Sequence, residues 1–484
     1  SMKVKFLPKK DIDVQICDIY EDRDAVIIQH TDVLYPTPAY NAEACGFKFN
    51  LKPCAFHWKY SGIQDELTEI FHTGVIKFGV YVPTDRYKPV EGASRYLPDY
   101  GNTIITAAGA EYYGKTIGES KPDGYPNNGQ ELFDYTNGVK GYDVNNGIAG
   151  AEGNMDFIRQ MDEVDNWYLE KFKRLPSSGS DRQGKIGSKE VYMPYYMGIR
   201  STNLYGSYSF ENIERLDFIH KRINSRWENG FQNNNIAGAN ILLSDAINNA
   251  FIEKGMMSDF VHWHRTALYP ELGGVYLLHD LYEHISNVIG SRNAWSTGYS
   301  EAVEYYWFKQ MTKRVRGSIN ENKLYLIADF DDEFFNQQIA GIDKKLLYNR
   351  IKQPLSVKVD LTGTEFENQD IISNNGDIIS LGDNKYVVDI PFCTENNGLK
   401  AVVISKTANP NYKNLNIPNV ISYDNGIITT DQPCKAVMYS GDFTETMTVL
   451  ERYNEYKTTH NFTNLTGSKI GLITEFGATI LYEI

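Results

Sequence analysis

Between residue 24 and about residue 315, short apolar runs alternate with helix-patterned stretches; after Gly317 the pattern changes to a period of two. This switch constrains the fold more than any single motif. Ala25-Val26-Ile27-Ile28 is a continuous apolar run of the kind that fills a strand covered on both faces. Pro36 to Cys45 reads as a helix stopped at Gly46, and Pro53-Cys54-Ala55-Phe56 as the next strand. Ile63–Phe71 is helical, and Val75–Val82 after Gly74 is again a strand. Strand, helix, strand, helix, strand predicts a parallel α/β fold, here a distorted (β/α) barrel. Further helices are expected at Met155–Phe172, Phe210–Trp227, Ile241–Lys254, Leu277–Ile289 and Tyr299–Arg314. Residues 84–150, rich in Gly, Asn, Tyr and Pro, interrupt the rhythm as an insertion expected to shape a cleft at the barrel rim.

The remainder predicts a C-terminal all-β, sandwich-like region. Ser356-Val357-Lys358-Val359-Asp360-Leu361 alternates, Tyr386–Ile390 is β-rich, and Leu399–Ile404 is a compact apolar run. Turn clusters such as Asn374-Asn375-Gly376-Asp377 and Asp424-Asn425-Gly426 separate them. The expected division is 1–317 for the barrel and 318–484 for the β region, with two smaller units parting near 410–418.

Composition narrows the partners. A net charge of −14 without a long basic run speaks against nucleic acid and anionic membrane surfaces. No apolar run approaches the roughly 20 residues of a membrane span. The five cysteines are widely spaced with no CxxC pair, which supports neither a disulfide framework nor a cysteine zinc site. The 34 Tyr and 23 Phe supply apolar faces suited to sugar rings, although most such rings fill cores. Ser1-Met2-Lys3-Val4-Lys5 carries no leader pattern, and the compartment stays open.

In parallel α/β folds, reacting groups sit where strands end. Gln29-His30-Thr31-Asp32 follows the first strand, and His30 and Asp32, two apart, share a face. An imidazole and a carboxylate placed so can share a divalent metal or act as an acid–base pair; the plainer reading is a histidine beside a helix-capping Asp. Phe260-Val261-His262-Trp263-His264-Arg265 repeats the pattern, with His262 and His264 on one face; here the plainer reading is a hydrogen-bonded histidine that never titrates. Ser177–Lys185 is a polar, glycine-rich stretch that either brings Asp181 or Arg182 to the rim or is a solvated loop. His279, Asp280, Glu283 and His284 lie on an amphipathic helix and read as surface residues. GxSxG, HExxH and GxGxxG motifs are absent.

The order of these pieces resembles the polysaccharide deacetylase family, the NodB-homology fold. Ala25–Asp32 is similar to that family's opening strand with its TFDD-type ending, and Gly46–Trp58 to its second-strand element. Arg159–Pro176 resembles the helix before its arginine-and-proline loop, and Ser177–Gly184 with Tyr196–Ser201 the loop and next strand. Leu242–Gly255 with Asp259–His264 resembles the closing helix–strand–histidine unit, and Trp295–Met311 the last helix. The resemblance covers residues 24–315 and implies a divalent, zinc-like ion and hydrolysis of acetyl groups from a polysaccharide or oligosaccharide. Carried over, Asp32, His30 and His264 are the metal ligands, and His264, His262 and Arg182 the catalytic residues. The family's base carboxylate and its H-[ST]-x-x-H pair have no counterpart, so the ion is held by this rearranged set or has been lost. The competing expectation is an inactive deacetylase-like module that binds glycan or builds structure in an extracellular, cell-surface or virion-attached adsorption protein.

Overall fold

The computed structural model describes residues 10–31, 36–57, 65–81, 165–166, 168–181, 198–202, 208–209, 222–263, 266, 276–330, 350–392, 401–444 and 447–484. The insertion expected at 84–150 lies outside them.

The chain opens with two short strands, β1 (Lys10–Ile12) and β2 (Val14–Ile16), then enters β3 (Ala25–Thr31), α1 (Pro36–Phe49), β4 (Cys54–His57), α2 (Asp65–Thr73) and β5 (Lys77–Tyr81). β6 (Ser178–Asp181), β7 (Gly198–Thr202), β8 (Tyr208–Ser209), β9 (Arg222–Ser225), α3 (Glu228–Gln232), α4 (Ile236–Glu253) and β10 (Met256–Phe260) follow. α5 (Tyr276–Ile289), β11 (Ala294–Ser296) and α6 (Tyr299–Met311) complete this part.

These strands form a sheet of order β8-β7-β6-β5-β4-β3-β10-β9, with β11 also on β3. From β7 to β9 every pairing is parallel; β8 runs antiparallel. All of β3 is buried, as its apolar run predicts for a strand covered on both sides. Ala25 and Ile27 join the core under α1, α2, α4 and α5, whereas Val26 and Ile28 join the core around α6.

One sequence expectation fails locally, and one open alternative is narrowed. Phe210–Trp227 was expected as a helix, yet Arg222–Ser225 is strand β9, fixed by its parallel register with Met256–Asp259. Tertiary pairing overrides helical spacing here. Of the two readings of Ser177–Lys185, a plain solvated loop does not hold for Ser178–Asp181, which is strand β6 between β5 and β7 and ends at Asp181. Its polarity is accommodated by α6. Ser178 Oγ lies 2.9 Å from Ser300 Oγ, and the Ser177 hydroxyl meets Glu304 and, at 3.0 Å, the carbonyl of Arg350.

The β region begins with β12 (Thr312–Asn320) and β13 (Lys323–Phe330). They form a hairpin whose turn residues Glu321 and Asn322 have φ of 50° and 60°, the left-handed pair that a tight two-residue turn requires. Next come β14 (Leu355–Asp360), β15 (Ile371–Ser373), β16 (Ile378–Gly382), β17 (Lys385–Ile390) and β18 (Ala401–Lys406). One sheet runs β1-β12-β13-β18-β15 and another β16-β17-β14-β2. The first strands of the chain therefore belong to the β region, which the expected 1–317 unit did not foresee.

A last sheet holds β19 (Val420–Asp424), β20 (Ile427–Ser440), β22 (Lys469–Thr474) and β23 (Thr479–Glu483), with β21 (Thr448–Asn461) on β20. It packs on α1 so closely that a Cβ on Gly471 would stand 2.4 Å from the Phe47 ring. Buried Glu43 of α1 accepts hydrogen bonds from Thr73 Oγ1 (2.7 Å), Tyr439 Oη (2.6 Å) and both Arg452 amino groups (2.7 and 2.6 Å). This carboxylate is fully satisfied where α1 meets the last sheet.

Candidate functional site

At the C-terminal edge of the parallel sheet, β9 and β10 end side by side. α3 starts just beyond β9, which puts Glu228 in its first turn, where the helix dipole favours a carboxylate. Glu228 is fully buried, and its Oε2 receives both the backbone N–H of His262 at 2.7 Å and the imidazole Nδ1 at 2.6 Å. Its Oε1 lies 3.7 Å from the Arg226 guanidinium, which in turn lies over the Phe260 ring at 5.6 Å.

The chemistry of this pair follows from donor and acceptor capacity. An ionised carboxylate only accepts, so the Nδ1 proton is held on Glu228 and a neutral His262 carries its lone pair on Nε2. The His262 side chain keeps 17% of its surface exposed, whereas Glu228 has none. An oriented imidazole at a rim, backed by a buried anion, can take a proton and return it.

The neighbouring positions on β10 divide between faces. Asp259 is completely buried on the face of the sheet opposite α6, and its Oδ1 accepts the Trp227 N–H at 2.9 Å. Burial pushes its carboxyl up to about 7; the nearby Glu228 charge pushes the same way, while hydrogen bonds from Trp227 and Ser225 oppose the rise. Ser258 faces the other side, where its hydroxyl contacts Tyr299 and lies 3.2 Å from His30 Nε2. His30 is fully buried; the rings of Tyr299, Phe260 and Phe56 lie 5.1, 5.3 and 6.0 Å from it, and the Tyr299 hydroxyl lies 3.4 Å from its Nε2.

The expected site residues are thus distributed as follows. β3 and β10 are neighbours, with His30 in register with Phe260, so the strand ends bearing His30 and His262 do come together. Asp32, Arg182 and His264 lie outside the described residues, and Asp181 ends β6. His279 and Asp280 sit on α5 with their side chains 3.7 Å apart, beside Glu283, and Lys48 Nζ lies 2.9 Å from His279 Nε2. A cation in that position opposes a metal ion.

Glu228 and Asp259 were not singled out from sequence. Helix spacing across Phe210–Trp227 hid the strand end that makes Glu228 a rim residue, and Asp259 was read only as part of a strand. A carboxylate directly after a strand, as in Arg226-Trp227-Glu228, is the signal that would have found the first.

Among the described residues no helix is long and apolar enough to cross a membrane. No family model, curated protein or solved structure matches the chain.

Proposed function

We propose that the chain is a carbohydrate deacetylase acting on a polysaccharide or oligosaccharide, with His262 as general acid–base and Glu228 as its positioning partner. One observation carries this reading: the 2.6 Å contact between His262 Nδ1 and buried Glu228 at the C-terminal edge of a parallel α/β sheet. The finer fold that goes with it is a distorted (β/α) barrel. His262 Nε2 takes the proton from water as it attacks the acetyl carbonyl. The same nitrogen then returns it to the departing amine or alkoxide, while Glu228 stabilises the transient imidazolium. His264 and Arg182, the other proposed catalytic residues, lie outside the described residues.

A divalent ion fits less well. Of the expected ligands Asp32, His30 and His264, only His30 is described. Its Nε2 faces the Ser258 and Tyr299 hydroxyls inside an aromatic cage, which suits a hydrogen-bonded core residue.

The test is acetate release from acetylated glycans. His262→Ala should lower kcat/KM by about a hundredfold or more, the scale of acid–base catalysis. Glu228→Gln should lower it by about tenfold or more and move the acidic limb of the pH profile downward, because an imidazolium loses its anionic neighbour. Wild-type activity that survives His262→Ala would end this assignment.

A second reading has one observation in its favour. α6 places Tyr299, Ala302, Val303 and Tyr306 against the His30 face of the sheet, filling with protein the side where a substrate would enter. A wild type that binds glycan without releasing acetate would make the chain a glycan-binding or structural module.

A further inference from the structure

The opposite, N-terminal edge of the parallel sheet holds a different arrangement. β3 spans seven residues, so this edge lies roughly 20 Å from His262. A cavity of about 550 Å³ opens there, within the range of small-molecule sites. Its walls come from residues leading into β3 and β4, from the start of β5, from β11 and the first turn of α6, from Gln353–Pro354 and the Asp377–Leu415 side of the β region, and from the Glu475–Ala478 turn between β22 and β23.

Lys52 reaches this cavity from just before β4 and is only 8% exposed. Its stem runs beneath the turn, where a Cβ on Gly477 would lie 3.7 Å from Lys52 Cε. Among the described residues its ammonium has one hydrogen bond, to Asn50 Oδ1 at 3.4 Å. That oxygen already accepts from the Thr479 N–H and hydroxyl, both at 3.1 Å. Among the described residues no carboxylate pairs with Lys52, and the charges acting on it are the cations Lys77 and Arg23.

The acidic groups around the cavity are already engaged or lie outward. Glu21 is held by Arg23 at 2.7 Å and Lys413 at 2.6 Å, and Lys413 also lies 3.7 Å from Asp377. Glu301 is shared between Lys77 at 3.8 Å and Arg174 at 3.5 Å, and Glu475 is exposed. A nine-tenths-buried ammonium flanked by two cations is costly unless an anion meets it. The rings of Tyr20, Trp295 and Phe476, with the amides of Asn411 and Gln353, line the rest. That combination suits a ring with apolar faces and hydroxyl edges.

We infer that this cavity binds an acidic sugar, its carboxylate seated on Lys52 between Lys77 and Arg23. The inference does not depend on the chemistry assigned to His262. Burial, aided by Lys77 and Arg23, lowers the Lys52 ammonium to about 7. An anion that prefers the protonated form therefore binds best below that value and weakens as pH rises through it. The other titratable groups facing the cavity are Tyr20, Glu21, Lys77, Glu301, Asp377, Lys413 and Glu475.

The full chain would be titrated calorimetrically with glucuronate, with glucose and inorganic sulfate as comparisons, at about pH 6 and about pH 9 and constant ionic strength. Glucuronate should bind at the lower pH and lose at least tenfold in affinity at the higher, while glucose gives no signal. Lys52→Met, which keeps the stem, should lose about tenfold or more at the lower pH. Should that variant fold poorly, amine labelling of the wild type offers a second measure: Lys52 should modify fastest near neutrality and be protected by glucuronate. Sulfate binding as tightly as glucuronate would overturn the sugar assignment. Absence of glucuronate binding, equal affinity in Lys52→Met, or unprotected Lys52 would overturn the site.

Discussion

Glu43 and Lys52, nine residues apart, are both buried charges, and their surroundings differ completely. Glu43 accepts from Thr73, Tyr439 and Arg452 twice over, so its desolvation is offset by charge-assisted bonds from two other parts of the chain. Among the described residues Lys52 has a single long contact, to an amide oxygen, and the cations Lys77 and Arg23 act on it. A buried charge closed on all sides holds elements together; one facing a cavity without its counter-charge is arranged toward a ligand. The sheet edges repeat this contrast: the C-terminal edge pairs His262 with Glu228, whereas the N-terminal edge leaves Lys52 uncompensated.

The largest effect expected from this comparison comes from breaking the satisfied site. Arg452→Met leaves the Glu43 carboxylate buried with only neutral donors and should cost about 3–5 kcal/mol, read as a drop in the urea midpoint. A loss below about 1 kcal/mol would mean that packing, Phe47 against Gly471 included, holds the last sheet without the ion pair.

Asp259 sharpens the comparison, since among the described residues no cation pairs with this buried acid. Its folded-state value, raised to about 7, exceeds the unfolded one. The unfolded chain therefore gives up this proton first, and the stabilisation, fully present below about pH 4, is lost as pH rises through about 7. Asp259→Asn, which keeps an acceptor for Trp227, should flatten that part of the stability–pH curve and stabilise the protein above neutrality, by on the order of 4 kcal/mol at the limit. An unchanged curve would refute the assignment. The smallest effect belongs to an exposed pair. Arg316 lies 2.8 Å from Asp329 on the hairpin surface, and Arg316→Ala should leave the urea midpoint unchanged within error.

Much of the architecture was legible because local patterns were strong. The Ala25–Ile28 run became a doubly covered strand, Leu277–Ile289 became α5 with one residue added, and the change after Gly317 became antiparallel sheets. The Pro36–Cys45 helix ran on through Gly46 to Phe49, because helical hydrogen bonding tolerates a glycine that close packing requires; a Cβ there would lie 2.4 Å from Val75. The candidate site was half legible. His262 stood out as a histidine at a strand end, whereas Glu228 did not, since a carboxylate beside a tryptophan in a helix-spaced stretch has no pattern of its own.

Sequence by itself determined the periods: continuous apolar runs for covered strands, helical spacing between them, and alternation in the tail. These depend on each residue's neighbours within one or two turns, and burial of apolar faces follows from them. Tertiary structure decided what needed partners far along the chain. It made Arg222–Ser225 a strand by pairing it with Met256–Asp259 and drew Lys10–Ile16 into the β region's sheets. It closed Glu228 onto His262 and left Lys52 among cations. A charge's role depends on whether a counter-charge reaches it through space, and short-range sequence pattern does not encode that distance.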